Sequence, residues 1–346
     1  MAVWTFKKVV KIVARTILVI LVITALSSLF VWNNGIQYTL GLLTGTIRDP
    51  YFDDAQYTLE QNCYGADTCG SGLIRVLTYN ILCRICVKEE YDPWDVRVAY
   101  LRKLVERYDP DLIGSQELGG WKDIEEYMPD GNIYTSVSFE FGPWAYADAA
   151  LFYRQSKYEM LDSGQFWLSP TPHLPFGFAW KPLSAPRYIT WAYLRDRQNG
   201  FSFLFVNTHM DNNPENKETA APIVFETFSE YAKRMPMIFT GDFNTNPTTE
   251  RYNVLQRGQG DDIIFVNAAD LVPMRELVTY AAGNDGPTGT VLFETLDHTI
   301  DHIFLAGPAD MEVSRWMVDH NRYGSEQRPA SDHPAVYAEL QFTLQP

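Results

Sequence analysis

Short β-rich runs recur from residue 73 to residue 342, and several of them end on a side chain able to do chemistry. The runs are "LIRVLTYN", "DLIGSQE", "AALFYR", "YITWAYLRD", "FSFLFVNTH", "PMIFTGDFN", "TIDHIFLAG" and "HPAVYAELQF". Asn80, Glu117, Arg154 and His209 close four of them, and Asp242 with Asn244 closes a fifth. One polar strand end is an ordinary turn signal. A set of them, each after a buried-looking run, predicts a sheet that holds polar groups together beyond its strand ends, where open α/β sheets bind ligands.

Helical spacing falls between the runs. Residues 94–108 place apolar side chains at 94, 98, 101, 104, 105 and 108, which predicts one amphipathic helix. Residues 216–234 predict a second, kinked or trimmed by Pro222. Strands alternating with helices and hairpins imply a layered α/β domain. From about residue 71 to 346 there is no low-complexity linker and no repeat, so one domain is expected there, after a connector at 34–70.

Charge narrows the partners. The chain has 28 Lys+Arg against 43 Asp+Glu, a net charge of -15. Lys7, Lys8, Lys11 and Arg15 are the only charged residues among the first 32, which leaves 24 basic against 43 acidic residues, or -19, for the rest. A surface that acidic repels polyanions and argues against general DNA coating. A nuclease stays open, because a bound divalent cation reverses the field locally.

The first 33 residues read as a basic cytoplasmic stub and an apolar run from about Thr16 to Trp32, near the lower length limit for a transmembrane helix. The basic flank predicts an N-terminus in the cytoplasm and a domain outside it. The alternative is a signal peptide cleaved near "ALS" at 25–27, giving a secreted protein. Cys63, Cys69, Cys83 and Cys86 fit export, since exported chains meet an oxidising compartment. Two disulfides are expected, with all three connectivities open. A zinc site and a thioredoxin-like role for "CRIC" are the alternatives.

"LTYNI", "SQE", "NTHMD", "GDFN", "IDHIF" and "SDHPAV", in this order, resemble the endonuclease/exonuclease/phosphatase superfamily over about residues 73–342. "FWLSPTP" and "PRYITWA" are similar to an uncharacterised bacterial branch of it. The resemblance implies a four-layer sandwich, two β-sheets packed face to face with helices outside, here behind an N-terminal transmembrane helix. It also implies a metal-dependent hydrolase of phosphoesters. By the family pattern Glu117, Asn80 and Asp332 are expected to hold the metal. Their hard oxygen donors suit Mg²⁺ or Mn²⁺. His333 matches the residue that takes a proton from water and Asp301 the one that orients it.

His209 matches a phosphate contact. Asp242 and Asn244 are expected to hold the attacking water and a phosphate oxygen, with leaving-group protonation by Asp242 as the alternative. Their two-residue spacing predicts side chains on one face of an extended segment. Arg154 and Arg187 are candidate phosphate clamps or, alternatively, surface ion-pair partners. His302 departs from the family, which usually has Tyr there, and it or His298 is a candidate extra contact. The expected substrate is a phosphoester, a diester before a monoester, whether small, lipid-linked or nucleic acid. Nuclease and sphingomyelinase-like activities are the alternatives, with a non-catalytic binding module as the rival from another class. Membrane contact runs through the N-terminal helix, and no protein partner is inferred.

Overall fold

The computed structural model describes residues 11–29, 63, 69–128, 131–141, 144–170, 172, 180, 184–272, 275–279, 289–293, 299–320 and 322–344. The chain divides into two units, residues 1–49 with 140–145 and residues 50–139 with 146–346. In the first, helix α1 (Lys11–Leu29) has a mean hydropathy of 2.3 and buries none of its surface. It is long and apolar enough to cross a membrane or to act as a signal sequence.

The second unit is built on two curled sheets. In chain order its elements begin with β1 (Cys69–Gly70), β2 (Ile74–Asn80), α2 (Trp94–Tyr108), β3 (Leu112–Leu118) and α3 (Trp121–Tyr127). There follow β4 (Tyr134–Phe141), β5 (Trp144–Arg154), β6 (Tyr158–Trp167), β7 (Tyr188–Asp196) and β8 (Ser202–His209). Next come α4 (Pro214–Ala232), β9 (Met237–Asp242), α5 (Glu250–Arg257) and β10 (Val266–Asn267). The chain closes through β11 (Arg275–Thr279), β12 (Gly289–Phe293), β13 (Asp301–Ala306), β14 (Ala309–Asp319) and β15 (Ala335–Leu344). One sheet runs β12-β11-β14-β15-β2-β3-β5-β4, with β1 on β15, and the other β10-β13-β9-β8-β7-β6.

Alternation along each strand explains why the sheets stack. Val76, Leu151, Val336 and Ala338 of the first sheet meet Phe203, Phe205, Ile238 and Ile303 of the second in one buried core. The opposite faces of the second sheet (Leu204, Val206, Phe239, Phe304) pack on Val224 and Phe228 of α4 and Tyr252 and Leu255 of α5. Helices α2 and α3 cover the first sheet, where Tyr108 stacks on Tyr337 and Tyr127 meets Phe152 edge-on. Strand β8, covered on both faces, carries the unbroken apolar run Phe203–Val206 before its polar end at Asn207–His209.

The expected helix over 94–108 is present with those bounds, its C-cap Asp109 in the left-handed region at φ 42. Helix α4 begins earlier than expected, because the Asn213 side chain caps the amides of Glu215 and Asn216. It also runs through Pro222 rather than stopping there. Register shifts hide two strands from periodicity, between Val313 and Arg315 in β14 and between Met160 and Asp162 in β6.

Polar side chains stitch the sheets together just below the strand ends. Asn207 Nδ2 donates to the carbonyls of Ser115 (3.0 Å) and Ala150 (2.8 Å) across the sheet interface. Its Oδ1 accepts from Gln116 Nε2 (2.8 Å) and Thr240 Oγ1 (3.1 Å). Gly114 gives it room: a Cβ there would lie 2.2 Å from Thr240 Oγ1 and 2.5 Å from Asn207 Oδ1. Replacing the buried amide would strand several groups at once, so Asn207→Ala should cost about 2–4 kcal/mol in urea titrations in mild detergent. A loss under about 1 kcal/mol would show that the sheets are held by apolar packing alone.

Candidate active site

Strand direction gathers the polar residues at one end of both sheets. Strands β2 and β3 are parallel, as are β8 and β9, so Asn80, Glu117, His209 and Asp242 all sit at carboxyl ends. Strand β13 runs antiparallel to β9, and its first residue, Asp301, pairs with Asp242. Strand β15 runs antiparallel to β2, which brings the segment before it, Ser331–His333, to the same rim.

Asp242, almost fully buried, is the centre of this cluster. Its Oδ2 lies 3.1 Å from Asn80 Nδ2, 3.4 Å from His209 Nε2 and 3.7 Å from His333 Nε2. Asn80 Nδ2 also donates to Glu117 Oε1 (3.1 Å), and the Cys83 amide to Glu117 Oε2 (2.8 Å). Glu117 adopts φ 71, a conformation that is strained for a residue with a Cβ. The turn lets its carboxylate meet Asn80. Buried Arg97 of α2 donates to the carbonyls of Ile81, Leu82 and Ala330 at 2.8–2.9 Å and so ties the Asn80 loop to the Ser331 loop.

His333 Nδ1 lies 2.8 Å from Asp301 Oδ2, which leaves Nε2 on the Asp242 side. Burial disfavours the imidazolium, but the charge and hydrogen bond of Asp301, with Asp242 and Asp332 behind it, raise His333 to about 10. Burial, reinforced by Asp242, pushes Asp301 up to about 6 against the pull of His333. The pair therefore holds a proton on the imidazole across neutral pH.

Asp148, at the start of β5, was not apparent in the sequence. Its carboxylate takes Arg187 Nη1 at 2.6 Å and His209 Nδ1 at 3.1 Å. Burial would raise it, yet His209 and Arg187 hold it down at about 2. The one signal was an acid inside the apolar run of β5. Arg187 Nη1 also lies 2.6 Å from His209 Nδ1, so this expected clamp does join the site.

Three expectations change. Arg154 sits at the far end of β5, which is antiparallel to β3, and is bound to Asp109, the Pro110 carbonyl (3.1 Å) and the Tyr134 hydroxyl (3.1 Å). It is an ion-pair partner away from the cluster. Asn244 does not share an extended face with Asp242, because β9 stops at Asp242 and Asn244 turns left-handed at φ 47. Its amide N–H caps Asp242 Oδ1 (2.8 Å) and its side chain donates to the Met210 carbonyl (2.9 Å), so it braces Asp242 from behind. His302 is buried away from the rim, with Nε2 at 2.8 Å from the Thr245 carbonyl and Nδ1 at 3.1 Å from Asn267 Nδ2. It is a packing residue. His298 lies outside the described residues.

The donor set suits a hard divalent cation. Two carboxylates, Glu117 and Asp242, each accept from the Asn80 amide nitrogen, and Asp332 is paired with Lys88. Asp242, Asp301 and His333 also present ligand atoms within 4.8 Å of one another. Cys83, Cys86 and Glu117 cluster as closely, but the two sulfurs face each other at disulfide distance, as do those of Cys63 and Cys69. Cα separations of 5.1 and 5.8 Å suit both bonds.

Two sheets carrying carboxylates, a His–Asp pair and a His–Arg pair at one rim define a phosphoester-hydrolase fold with a candidate metal centre. The chain belongs to the endonuclease/exonuclease/phosphatase family, whose model matches residues 77–333. A family protein from Bacteroides thetaiotaomicron is similar at 25% identity and TM-score 0.60, over 80% of this chain and 97% of that one. The mannosyl-6-phosphatase of the same organism is 27% identical at TM-score 0.56, over 77% and 99%. The human Nocturnin catalytic domain shares the fold at 18% identity and TM-score 0.55, over 80% and 97%. No curated protein sequence matches the chain.

Burial of His302 has a consequence for stability, since it lowers the imidazole to about 4. The unfolded chain then binds a proton that the folded chain refuses, so stability falls as pH drops from about 6.5 toward 4. A two-unit window is worth about 2–3 kcal/mol. In urea titrations, the stability gap between wild type and His302→Gln should narrow by about that much from pH 7 to pH 4.5. A constant gap would mean that His302 is protonated in the folded protein.

Proposed function

We propose that this protein is a metal-dependent phosphoester hydrolase in which the His333–Asp301 pair activates water. The observation that carries the reading is the 2.8 Å contact between His333 Nδ1 and Asp301, which leaves Nε2 beside Asp242 at a rim of oxygen ligands. Glu117, Asn80 and Asp332 hold the cation, Mg²⁺ or Mn²⁺, whose chemistry when bound is to polarise a phosphoryl oxygen and stabilise its charge.

A cation held by these residues would offset part of the negative charge around His333, whose imidazole would accept the proton of water at Nε2 while Asp301 holds Nδ1. Asp301 fixes the ring and holds Nδ1–H. His209 and Arg187, anchored by Asp148, offer donors to the non-bridging oxygens. Asp242 orients the nucleophile or protonates the leaving oxygen. A phosphodiester is the first substrate class to test, with nucleic acid and phospholipid among the probes.

Helix α1 serves as a membrane anchor in this reading, with its basic flank inside and the catalytic unit (71–346) outside the cytoplasm. The cysteine pairs support an oxidising compartment. Hydrolysis of bis-p-nitrophenyl phosphate by the full chain in detergent should require Mg²⁺ or Mn²⁺ and vanish in EDTA. Glu117→Gln should raise the metal concentration for half activity by about 10–100-fold. Hydrolysis that survives EDTA and ignores Glu117→Gln would rule the reading out.

A further inference from the structure

Cys83 and Cys86 are three residues apart, and a bridge that closes so short a loop constrains the unfolded chain least. The loop that carries them is held by other bonds. Arg84, between the two cysteines, gives Nε to Asp123 Oδ1 at 2.6 Å and lies over the Trp94 ring at 4.9 Å. Buried Arg97 binds the carbonyls of Ile81 and Leu82, and the Cys86 amide closes a turn on the Cys83 carbonyl at 3.0 Å. Both cysteines are half-buried, and Ile85 between them is 86% exposed, so a reductant can reach the sulfurs. A bridge that braces little, on a loop already fixed and open to solvent, points to a use in chemistry.

The chemistry lies beside it. The Cys83 amide donates to Glu117 Oε2 at 2.8 Å, and both sulfurs lie with a Glu117 oxygen inside a 4.8 Å cluster. Opened, the bridge would offer two thiolates next to one carboxylate. Sulfur ligands select against Mg²⁺ and suit Zn²⁺, and two cysteines separated by two residues are a zinc-ligand spacing. Tetrahedral zinc holds its ligand atoms about 3.4–3.8 Å apart, so the group needs only a small adjustment to close on the ion. A carboxylate oxygen that accepts one hydrogen bond keeps a lone pair for a metal. The anchors at Arg84 and Arg97 do not depend on the bridge, so the loop stays placed when the bridge opens.

We propose that reduction of the Cys83–Cys86 bridge creates a metal site distinct from the hard-cation centre, in which both sulfurs and Glu117 hold Zn²⁺. An external dithiol supplies two electrons and two protons and closes to its own disulfide, while Cys83 and Cys86 become thiols. Zn²⁺ displaces the two thiol protons to solvent, takes Glu117 as third ligand and leaves the fourth position to water. The site itself stands apart from the hydrolase reading, and only its effect on hydrolysis rests on that reading. Glu117 cannot serve both cations, so zinc held here withdraws it from the hard-cation centre.

The full chain in detergent is reduced with dithiothreitol, desalted under argon and titrated with Co²⁺, a spectroscopic stand-in for Zn²⁺, beside an oxidised sample. The reduced wild type should develop a near-ultraviolet thiolate-to-cobalt absorption, lose it to about one equivalent of Zn²⁺ and keep it in excess Mg²⁺. The oxidised chain should show none. Glu117→Gln should weaken Zn²⁺ binding by about tenfold or more. Cys83→Ser/Cys86→Ser, which keeps Cys63 and Cys69, should abolish the absorption. Zn²⁺ should also inhibit bis-p-nitrophenyl phosphate hydrolysis by the reduced chain at concentrations that leave the oxidised chain active. The proposal is overturned if the reduced wild type shows no absorption or if the serine variant retains it. Binding indifferent to Glu117→Gln, the mark of a loose dithiol, overturns it too, as does equal inhibition of the two redox forms. Hydrolysis without the cobalt absorption sinks the zinc site alone. The absorption in a chain that cleaves no phosphoester sinks the hydrolase reading alone.

Discussion

The amide of Asn207 is the constraint on which the site depends. It lies two residues before His209 and bonds to Ser115, Ala150, Gln116 and Thr240, each close in sequence to a residue of the rim or its supports. Thr240 precedes Asp242 by two, Gln116 adjoins Glu117, and Ala150 follows Asp148 by two. Apolar packing would let two sheets slide with little penalty. A buried amide with four directional bonds permits one register. The strand ends then meet at one rim.

Bringing Asp242, Asp301, Glu117 and Asp332 together is costly, because like charges repel and burial removes their solvation. Positive groups surround them accordingly. Lys88 pairs with Asp332, Arg187 with Asp148, and His333 with Asp301. Arg97 contributes a buried permanent charge whose bonds all run to carbonyls, and its field reaches Asp332 and Glu117. An acidic chain thus builds a locally balanced site.

Much of this was legible in sequence because the chemistry falls at strand ends. Asn80, Glu117, His209 and Asp242 each close an apolar run, and in parallel pairs β2–β3 and β8–β9 closing positions share one rim. The same rule misplaced Arg154 and missed Asp148. Strand β5 is antiparallel, so its carboxyl end points away from the rim and its beginning, in an alanine-rich stretch, points toward it. Strand direction is a tertiary property that local pattern does not carry. Asn244 failed for a different reason: a left-handed φ breaks the two-residue periodicity from which its orientation was inferred. His302 looked like chemistry, and only its two hydrogen bonds and complete burial show it as packing.

The central claim is that His333 and Asp301 act as one catalytic unit, and a double-mutant cycle measures it most directly. The quantity is kcat/KM for bis-p-nitrophenyl phosphate against pH at saturating Mg²⁺, for wild type, His333→Ala, Asp301→Asn and the double variant. Groups acting as a unit are non-additive, so once His333 is gone the loss of Asp301 should cost little more. Asp301→Asn alone should also shift the rising limb to lower pH, because the carboxylate that favours the imidazolium is gone. If the two single losses simply multiply, or if His333→Ala turns over at nearly the wild-type rate, the pair is not the base and the account is contradicted.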